Sequence, residues 1–537
     1  MFNGKYNYRF GLLLWSVFSS IDLVKAQSAD SVIVEKDFLF QSQPWLSSGH
    51  VLGISYLPVS SYSVVRGSAT PRRGDFINFF EADRSISLGT DVTSYRRLTP
   101  KTTLSGSIAY QNFLGQNMGG SAFLTPTLNP FDINEYADTT TGAKRLEHYK
   151  VQGGVSSELT PKMKIGGQVK YETGNYTKLK DMRHTNKLLQ FDMDLAASWQ
   201  LQEQLQLGLG YKYHRRIESL GFRIYGNTDR QYQSLINFGS FMGMIELYDS
   251  DSGYMAETNP LFDQSHGVSL TLSTKLFENL NWFSEITYGR RAGYFGKEGT
   301  TQIKHTEHEG DRFTYQGNLT FRQPSRLHHL QLVLVRQQLD NFQNVYRRET
   351  ELGGARRIVY YGQNKVFDRN EFSTVIDYTL HTNAQDWTPR WTYRLRGEFT
   401  NRRQSTTIYP YYRKQDLGYY RLGGTVTRNL RYDPHIFQVS IGLTWGAGHG
   451  DPFQDGTYTP PSSNQSAPAT KNNLLYLEYE YLTASRVTGD LGVTYSRVLK
   501  QNKSAFAKLS IGGTKAFEIQ YIGSKNIIPQ LELGYRF

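Results

Sequence analysis

From residue 104 onward, apolar residues return at every second position in one segment after another. Leu104, Gly106, Ile108 and Tyr110 alternate with Ser105, Ser107 and Ala109. Met163, Ile165, Gly167, Val169 and Tyr171 alternate with Lys164, Gly166, Gln168 and Lys170. Phe191 to Trp199, Leu205 to Tyr213, Tyr315 to Phe321, Phe372 to Leu380, Trp391 to Phe399 and Phe437 to Trp445 repeat the pattern. Successive side chains of a strand point to opposite faces, so each segment has one greasy face and one polar or small face. Period-two runs of about ten residues, repeated this often, predict an all-β chain of transmembrane type and leave no room for a helical core. The last nine residues carry the same pattern to the end. Leu531, Leu533, Tyr535 and Phe537 share one parity, and Gln530, Glu532, Gly534 and Arg536 share the other.

The connections alternate in length. Leu98-Thr99-Pro100-Lys101 and Leu159-Thr160-Pro161-Lys162 are the same tetrapeptide, each between two alternating segments. Proline at the second turn position presets φ and cannot sit inside a ladder. Other short links are expected near 201–203, 278–279, 324–326 and 500–502. Long ones are expected at about 114–145, 174–186, 218–266, 292–311, 340–370, 401–416 and 446–473. Short turns at one end and long loops at the other are the asymmetry of an up-and-down barrel in an outer membrane. Counting hairpins predicts about 18 strands, within 16 to 20. Val51 to Val65 is a poor first strand because it contains Pro58. Leu475 to Tyr495 is expected as one long strand, since its apolar residues keep one parity.

Mean hydropathy is −0.53, and after the N-terminus no apolar run approaches the about 20 residues of a spanning helix. A barrel escapes that test because every second residue faces its interior. The 37 Tyr and 30 Phe suit strands and interfacial girdles. The chain has no cysteine, which excludes a disulfide framework and thiolate-ligated metals. Its formal charge of +12 is spread among carboxylates without a packed basic tract, so no nucleic-acid partner is expected. Lys5 and Arg9, the mostly apolar run to Val24 and the small residue Ala26 read as a secretory signal over 1–26, cleaved before Gln27. Residues 27–48 are expected as a short periplasmic segment, too short for a folded plug domain, and 49–537 as the barrel.

Several residues are candidates for function. Lys164, Lys170, Lys212, Asp192, Asp194, Asp377, Arg394, Arg396 and Glu398 fall on the polar parity and are expected to face the lumen. Arg421, Glu478 and Glu480 are expected there too. Such charges select ions or simply pair across strands, and no single sign dominates. The middle of the 218–266 loop is unusually apolar, with Phe238, Phe241, Met242, Met244 and Ile245. Three fates stay open for it: constricting the barrel, docking a partner, or packing under other loops. His305-Thr306-Glu307-His308-Glu309-Gly310-Asp311 is the densest set of metal-ligand types but is expected as a solvated acidic loop. Asp249-Ser250-Asp251-Ser252-Gly253 resembles the start of a calcium loop without its bidentate glutamate. His148 and His381 are available bases, yet no nucleophile spacing accompanies them, so no enzyme and no cofactor are expected.

The Leu533-Gly534-Tyr535-Arg536-Phe537 ending resembles the closing strand of outer-membrane barrels, whose terminal aromatic is read by the barrel-assembly machinery. With the Ala26-Gln27 cleavage point and tyrosine-rich strands, the chain resembles barrels of Bacteroidota. The Pro44-Trp45 lead-in followed by Gly74-Asp75-Phe76 is similar to an uncharacterised barrel family found beside TonB-dependent uptake systems and surface lipoproteins. That resemblance implies a pore or accessory subunit in nutrient uptake, in contact with outer-membrane lipids and, as partner, a TonB-dependent receptor or surface lipoprotein. A sealed structural or adhesion barrel working through its loops is the alternative, and a rim hydrolase a lesser one.

Overall fold

A computed structural model describes residues 35–537 except 227–228, 249, 251–252, 351–353, 355, 385–386 and 500–502. The proposed signal over 1–26 therefore lies outside the described residues, as does most of the 249–253 motif. The described chain is dominated by one closed sheet of 18 antiparallel strands. It runs from Ser61–Gly74 to Lys525–Arg536, each strand pairing with its sequence neighbour in the sheet. Closure comes from the pairing of the first strand with the last, in the register Val65↔Tyr535 and Gly67↔Leu533. Phe537 completes this seam: its N–H donates to the Ser63 carbonyl and its own carbonyl accepts from the Ser63 N–H. Leu531, Leu533, Tyr535 and Phe537 thus sit on the closing strand, with Leu533 55% exposed on the outer face and the Tyr535 and Phe537 rings stacked 5.8 Å apart.

The alternation read from the sequence is the alternation of the wall. Ile108, Leu209, Leu270, Leu395, Ile441, Leu443 and Leu509 are all more exposed than buried, on the outside. Their neighbours in sequence are the small and polar residues of the inside. No described helix is long and apolar enough to cross a membrane. The strands are longer than the about 9–11 residues that a bilayer requires. Arg326–Thr350 has 25 residues and Arg356–Thr382 has 27. Much of what reads as long loops at 340–370, 401–416 and 292–311 is therefore paired strand standing above the apolar belt. Beyond the lipid the outer face no longer needs to be greasy, so the alternation fades while the ladder continues.

Two stretches depart from their expected state. Leu475 to Tyr495 is not one strand: a helix over Asn472–Thr483 precedes a strand over Arg486–Val498. A residue pattern that alternates over eight positions can also place Leu474, Leu475 and Glu478 on one helical face, and those are the residues buried here. Glu478 and Glu480 consequently belong to this helix rather than to a wall strand. At the other end, the wall begins at Ser61 rather than near residue 49. Residues 35–57 form the helices Lys36–Gln41 and Pro44–Ser47 and a 3₁₀ turn over Val51–Tyr56, all packed inside the barrel.

An arginine on the lipid face of a barrel costs about 2–4 kcal/mol at the bilayer midplane. Leu443→Arg, opposite Gly424 and Gly489 in the register, is expected to lower stability by about that much. Urea unfolding in phospholipid vesicles measures it, and an unchanged midpoint would place this face away from lipid.

Candidate functional site: the closed lumen

The chain's own segments occupy the lumen at two levels. The lower closure is the stretch 35–57. In one apolar cluster Trp45 meets Phe283 edge-on at 4.9 Å and stacks on Tyr56 at 5.5 Å, with Val51, Leu52 and Ala196 completing the contact. Gly166 on the wall makes room for it, since a Cβ there would lie 2.9 Å from the Leu52 side chain. A second apolar cluster joins Leu39, Leu46 and Leu57 with Phe40, Tyr95 and Trp387, and polar bonds complete the attachment. Gln316, Asn318, Thr320 and Arg322 are successive inward residues of one strand. They donate to the carbonyls of Ser48 at 3.0 Å, Pro44 at 3.3 Å, Gln41 at 3.4 Å and Ser42 at 3.5 Å. These carbonyls lie in or beside the two short helices, whose last carbonyls have no intrahelical donor. His381 bonds the Gln41 side chain at 2.7 Å, and Asn429 and Gln438 hold the two oxygens of Glu35.

The upper closure is a lid built from the long links. A four-stranded sheet joins Asp132–Glu135, Gln233–Gly239, Met242–Leu247 and Ala469–Thr470, and the Asn472–Thr483 helix packs beside it. The apolar 218–266 link forms its centre. Phe238, Phe241 and Met242 are buried, with Phe238 in one cluster with Phe131, Tyr254 and the wall residues Leu261, Phe295 and Val366. Met244 packs at the cluster's edge, while Ile245 is 43% exposed. The hairpin crosses the lumen: it leaves the Leu205–Arg223 strand, and its tip reaches strands far around the wall. There Gln404 donates to the Ser240 hydroxyl at 2.8 Å and Arg413 to the Ser240 carbonyl at 3.1 Å. Wall donors also hold the 119–131 link. Lys144 donates to the Ser121 carbonyl, Asn186 to Ala122, Arg369 to Thr127 and Arg291 to Leu128.

The helix is latched by its two glutamates. Glu478 accepts from Arg402 at 3.0 Å, with both side chains over nine-tenths buried. Glu480 accepts the backbone N–H groups of Gln520, Tyr521 and Ile522.

Several of the charges on the polar parity pair with charges on neighbouring strands. Arg394 holds Asp377 through two oxygens at 3.0 and 2.9 Å, and Arg396 reaches Asp377 at 3.3 Å and Glu398 at 2.8 Å. Lys212 pairs with Glu285, and Asp192 bonds His214 at 2.6 Å. Lys170 stands opposite Asp192 and Lys212 opposite Asp194 in the register. Lys164 instead lies 3.7 Å above the Tyr56 ring, inside the lower closure. Arg421 lies 4.0 Å from Glu398. Many of these side chains remain half-exposed, Arg394 and Arg396 at 43% and 45% among them. Accessible space among mixed charges therefore remains within the wall.

The histidine-rich run at 305–311 is strand, not solvated loop. His305 stacks on Tyr254 at 4.4 Å and His308 sits 3.4 Å from Asp263, both facing the lid. No group of three metal-ligand side chains occurs among the described residues. His148 lies 3.1 Å from Glu172. The wall donors Gln316, Asn318, Thr320, Arg369 and Arg413 were not singled out from sequence, although their parity marks them as inward. Nothing in the sequence announced that chain would lie within their reach.

Comparison with known proteins adds the following. A model of a family of unknown function (DUF6850) matches residues 51–537. No curated protein matches. Among solved structures, the chain is similar to BauA, the ferric preacinetobactin receptor from Acinetobacter baumannii. The identity is 8% and the TM-score 0.38, over 89% of this chain and 80% of that one. It is also similar to the RagAB peptide importer at 7% identity and a TM-score of 0.40, over 88% and 86%. The outer membrane transporter YddB from Escherichia coli gives 7% and 0.40, over 88% and 81%.

Two predictions follow from the attachments. Glu478→Gln leaves Arg402 buried without its carboxylate and is expected to weaken the lid by about 3–5 kcal/mol. Hydrogen exchange over the Asn472–Thr483 helix reads this as lost protection, and unchanged protection would show that the pair does not hold the helix. The second concerns pH. Burial, then Asp37, pushes the Glu35 carboxyl up to about 7. Burial pushes the His50 imidazole down to about 4. A raised carboxyl favours docking of the lower closure below its ordinary value and loses that contribution as pH rises through 7. A lowered histidine does the reverse, opposing docking as pH falls below 6.5. The two offset each other in the native chain. Glu35→Gln removes the first, so its closure is expected to release more steeply than the native one between pH 6.5 and 4, read by protease cleavage within 35–57. Equal profiles would mean that Glu35 does not titrate in the docked state.

Proposed function

The chain belongs to the family of unknown function DUF6850, and we propose that it is an outer-membrane barrel of nutrient uptake whose passage is kept shut by its own chain. The observation that carries this is the manner in which 35–57 is held. It occupies the lower lumen through two small apolar clusters and single bonds from wall side chains to its backbone carbonyls, beside a chamber lined by charges. Such bonds contribute about 0.5–1.5 kcal/mol each and exchange readily for water, unlike a continuous apolar core. A solute passing through the chamber would meet paired charges of both signs, so neither cations nor anions are favoured. The reading is non-enzymatic.

Export through a cleaved segment 1–26, insertion guided by the Phe537 end, and association with a TonB-dependent receptor or surface lipoprotein belong to the same proposal. The barrel's contact with outer-membrane lipids follows from its greasy outer belt. A sealed scaffold is the second reading, and the lid supports it. Its centre is an apolar cluster shared with the wall, costlier to displace than the lower closure.

Single-channel recording in planar bilayers separates the two. The intact protein is expected to be silent. A variant lacking residues 36–56 and carrying a short linker in place of 233–247 is expected to conduct ohmically. Silence in that double variant, with its melting transition retained, would reject the pore and leave the scaffold.

A further inference from the structure

The seam that closes the barrel is interrupted. Pairing of the first strand with the last runs from Val64↔Arg536 to Ala69↔Leu531 and resumes at Arg73↔Ile527. The reciprocal bonds of Ser63 and Phe537 set the phase of this ladder, in which every second pair is a bonded one. Pro71 falls opposite Pro529 at one of those bonded positions, and neither has an N–H to give. Residues 70–72 and 528–530 are thus unpaired across the seam, although both strands keep their ladders with their other neighbours.

Above the break the strands are drawn together again. The N–H groups of Asp75 and Phe76 donate to the Lys525 carbonyl at 2.9 and 3.1 Å, and the Lys525 N–H donates to Asp75 Oδ1 at 2.9 Å. Gly74 permits this approach, since a Cβ there would strike the Lys525 carbonyl. The link that follows reaches the lid through Phe79, edge-on to Phe241 at 4.9 Å. The break therefore lies toward the lid end of the wall. A cleft of about 730 Å³ opens there, with Pro71, Pro529 and Ile527 among its walls.

On three neighbouring strands the outward apolar column ends in a cation at this level. Arg84 follows the exposed Leu88 and Ile86, Arg73 follows Pro71, and Lys525 follows Leu531, Pro529 and Ile527. All three cations are exposed and line the cleft. Arg73 stands directly opposite Arg84 in the register, and Lys525 lies two residues from Ile527, the partner of Arg73 across the seam. Among the described residues none of these three side chains has a hydrogen-bond or ion-pair partner. The other charges of the cleft are engaged. Arg72 is held by Glu81 through two bonds, and Asp75 takes the Lys525 N–H. Asp83 accepts from Asn117 at 2.8 Å and buries its second oxygen.

Like charges directly opposite in a ladder repel, so the Arg73–Arg84 pair is relieved by an anion set between them. Guanidinium forks suit phosphate oxygens. The apolar walls below suit hydrocarbon. We propose that the seam cleft binds one phosphorylated lipid of the leaflet at the lid end. Its phosphate lies among Arg73, Arg84 and Lys525, and an acyl chain runs along Pro71, Pro529 and Ile527. A zwitterionic lipid is disfavoured, because its own cation would stand among three others. The site rests on the reading of the outer wall as lipid-facing, and adds to it a head-group preference and a fixed position.

Native mass spectrometry of the purified full-length protein in a neutral detergent tests this with dioleoyl phosphatidic acid, dioleoyl phosphatidylcholine and inorganic phosphate. Phosphatidic acid is expected as one saturable adduct, held about tenfold more tightly than phosphatidylcholine. Inorganic phosphate is expected not to displace it. Arg73→Gln with Arg84→Gln is expected to abolish the preference, and Lys525→Gln alone to reduce it about threefold. Far-UV circular dichroism follows folding of both variants, and Lys525→Gln keeps the test valid if the double variant misfolds. Equal retention of the two lipids, displacement by inorganic phosphate at equal concentration, or an unchanged preference in either folded variant would overturn the site. Insertion into phosphatidylcholine vesicles is followed separately. Its failure would overturn the lipid-facing wall and the site together, whereas insertion with equal retention of the two lipids would remove the site alone.

Discussion

In lipid a backbone N–H or C=O without a partner costs several kcal/mol, and no water is present to relieve it. A sheet can therefore span the bilayer only by returning to its own beginning. Here that return is the pairing of Ser61–Gly74 with Lys525–Arg536, finished by the reciprocal bonds of Phe537 and Ser63. The closed wall decides the rest. Its outer face must match lipid, so Leu443 and Leu509 point out. Its inner face is freed from that demand and fills with amides, hydroxyls and charges.

Those inward groups explain what occupies the lumen. A wall rich in side-chain donors suits chain that presents backbone carbonyls, and both closures do so. The lower one offers the ends of two short helices to Gln316, Asn318 and Thr320. The upper one offers link carbonyls to Lys144, Arg291, Arg369 and Arg413. Part of the chain's positive balance is thus spent internally on backbone dipoles and on Asp377, Glu398 and Glu478. A basic composition here says nothing of nucleic acid.

The wall was legible because its period is simple and its environment uniform. Ile108, Leu209 and Leu395 fall on the parity that faces lipid, and the inward position of Lys212, Asp377 and Arg394 follows from the same rule. What occupies the inside was not legible. Leu475, Leu477, Tyr479 and Tyr481 alternate as a strand would, yet their segment packs as a helix against a lid whose other parts lie hundreds of residues away. Residues 35–57 show no period because they bury two small patches, around Trp45 and around Leu39, and otherwise meet the wall through scattered main-chain and side-chain bonds. Main-chain contacts leave no mark on side-chain composition.

The lower closure sits immediately before the first strand, and the seam is made by the last. The barrel's circumference is therefore complete only when residue 536 meets residue 64, a contact of very high sequence separation. Until that moment the enclosure has an open side, and 35–57 can be laid against the strands that will surround it. Afterwards it would have to thread through an end. The order of synthesis thus supplies the occupant before the container, and the slow closing event is also the one that entraps it.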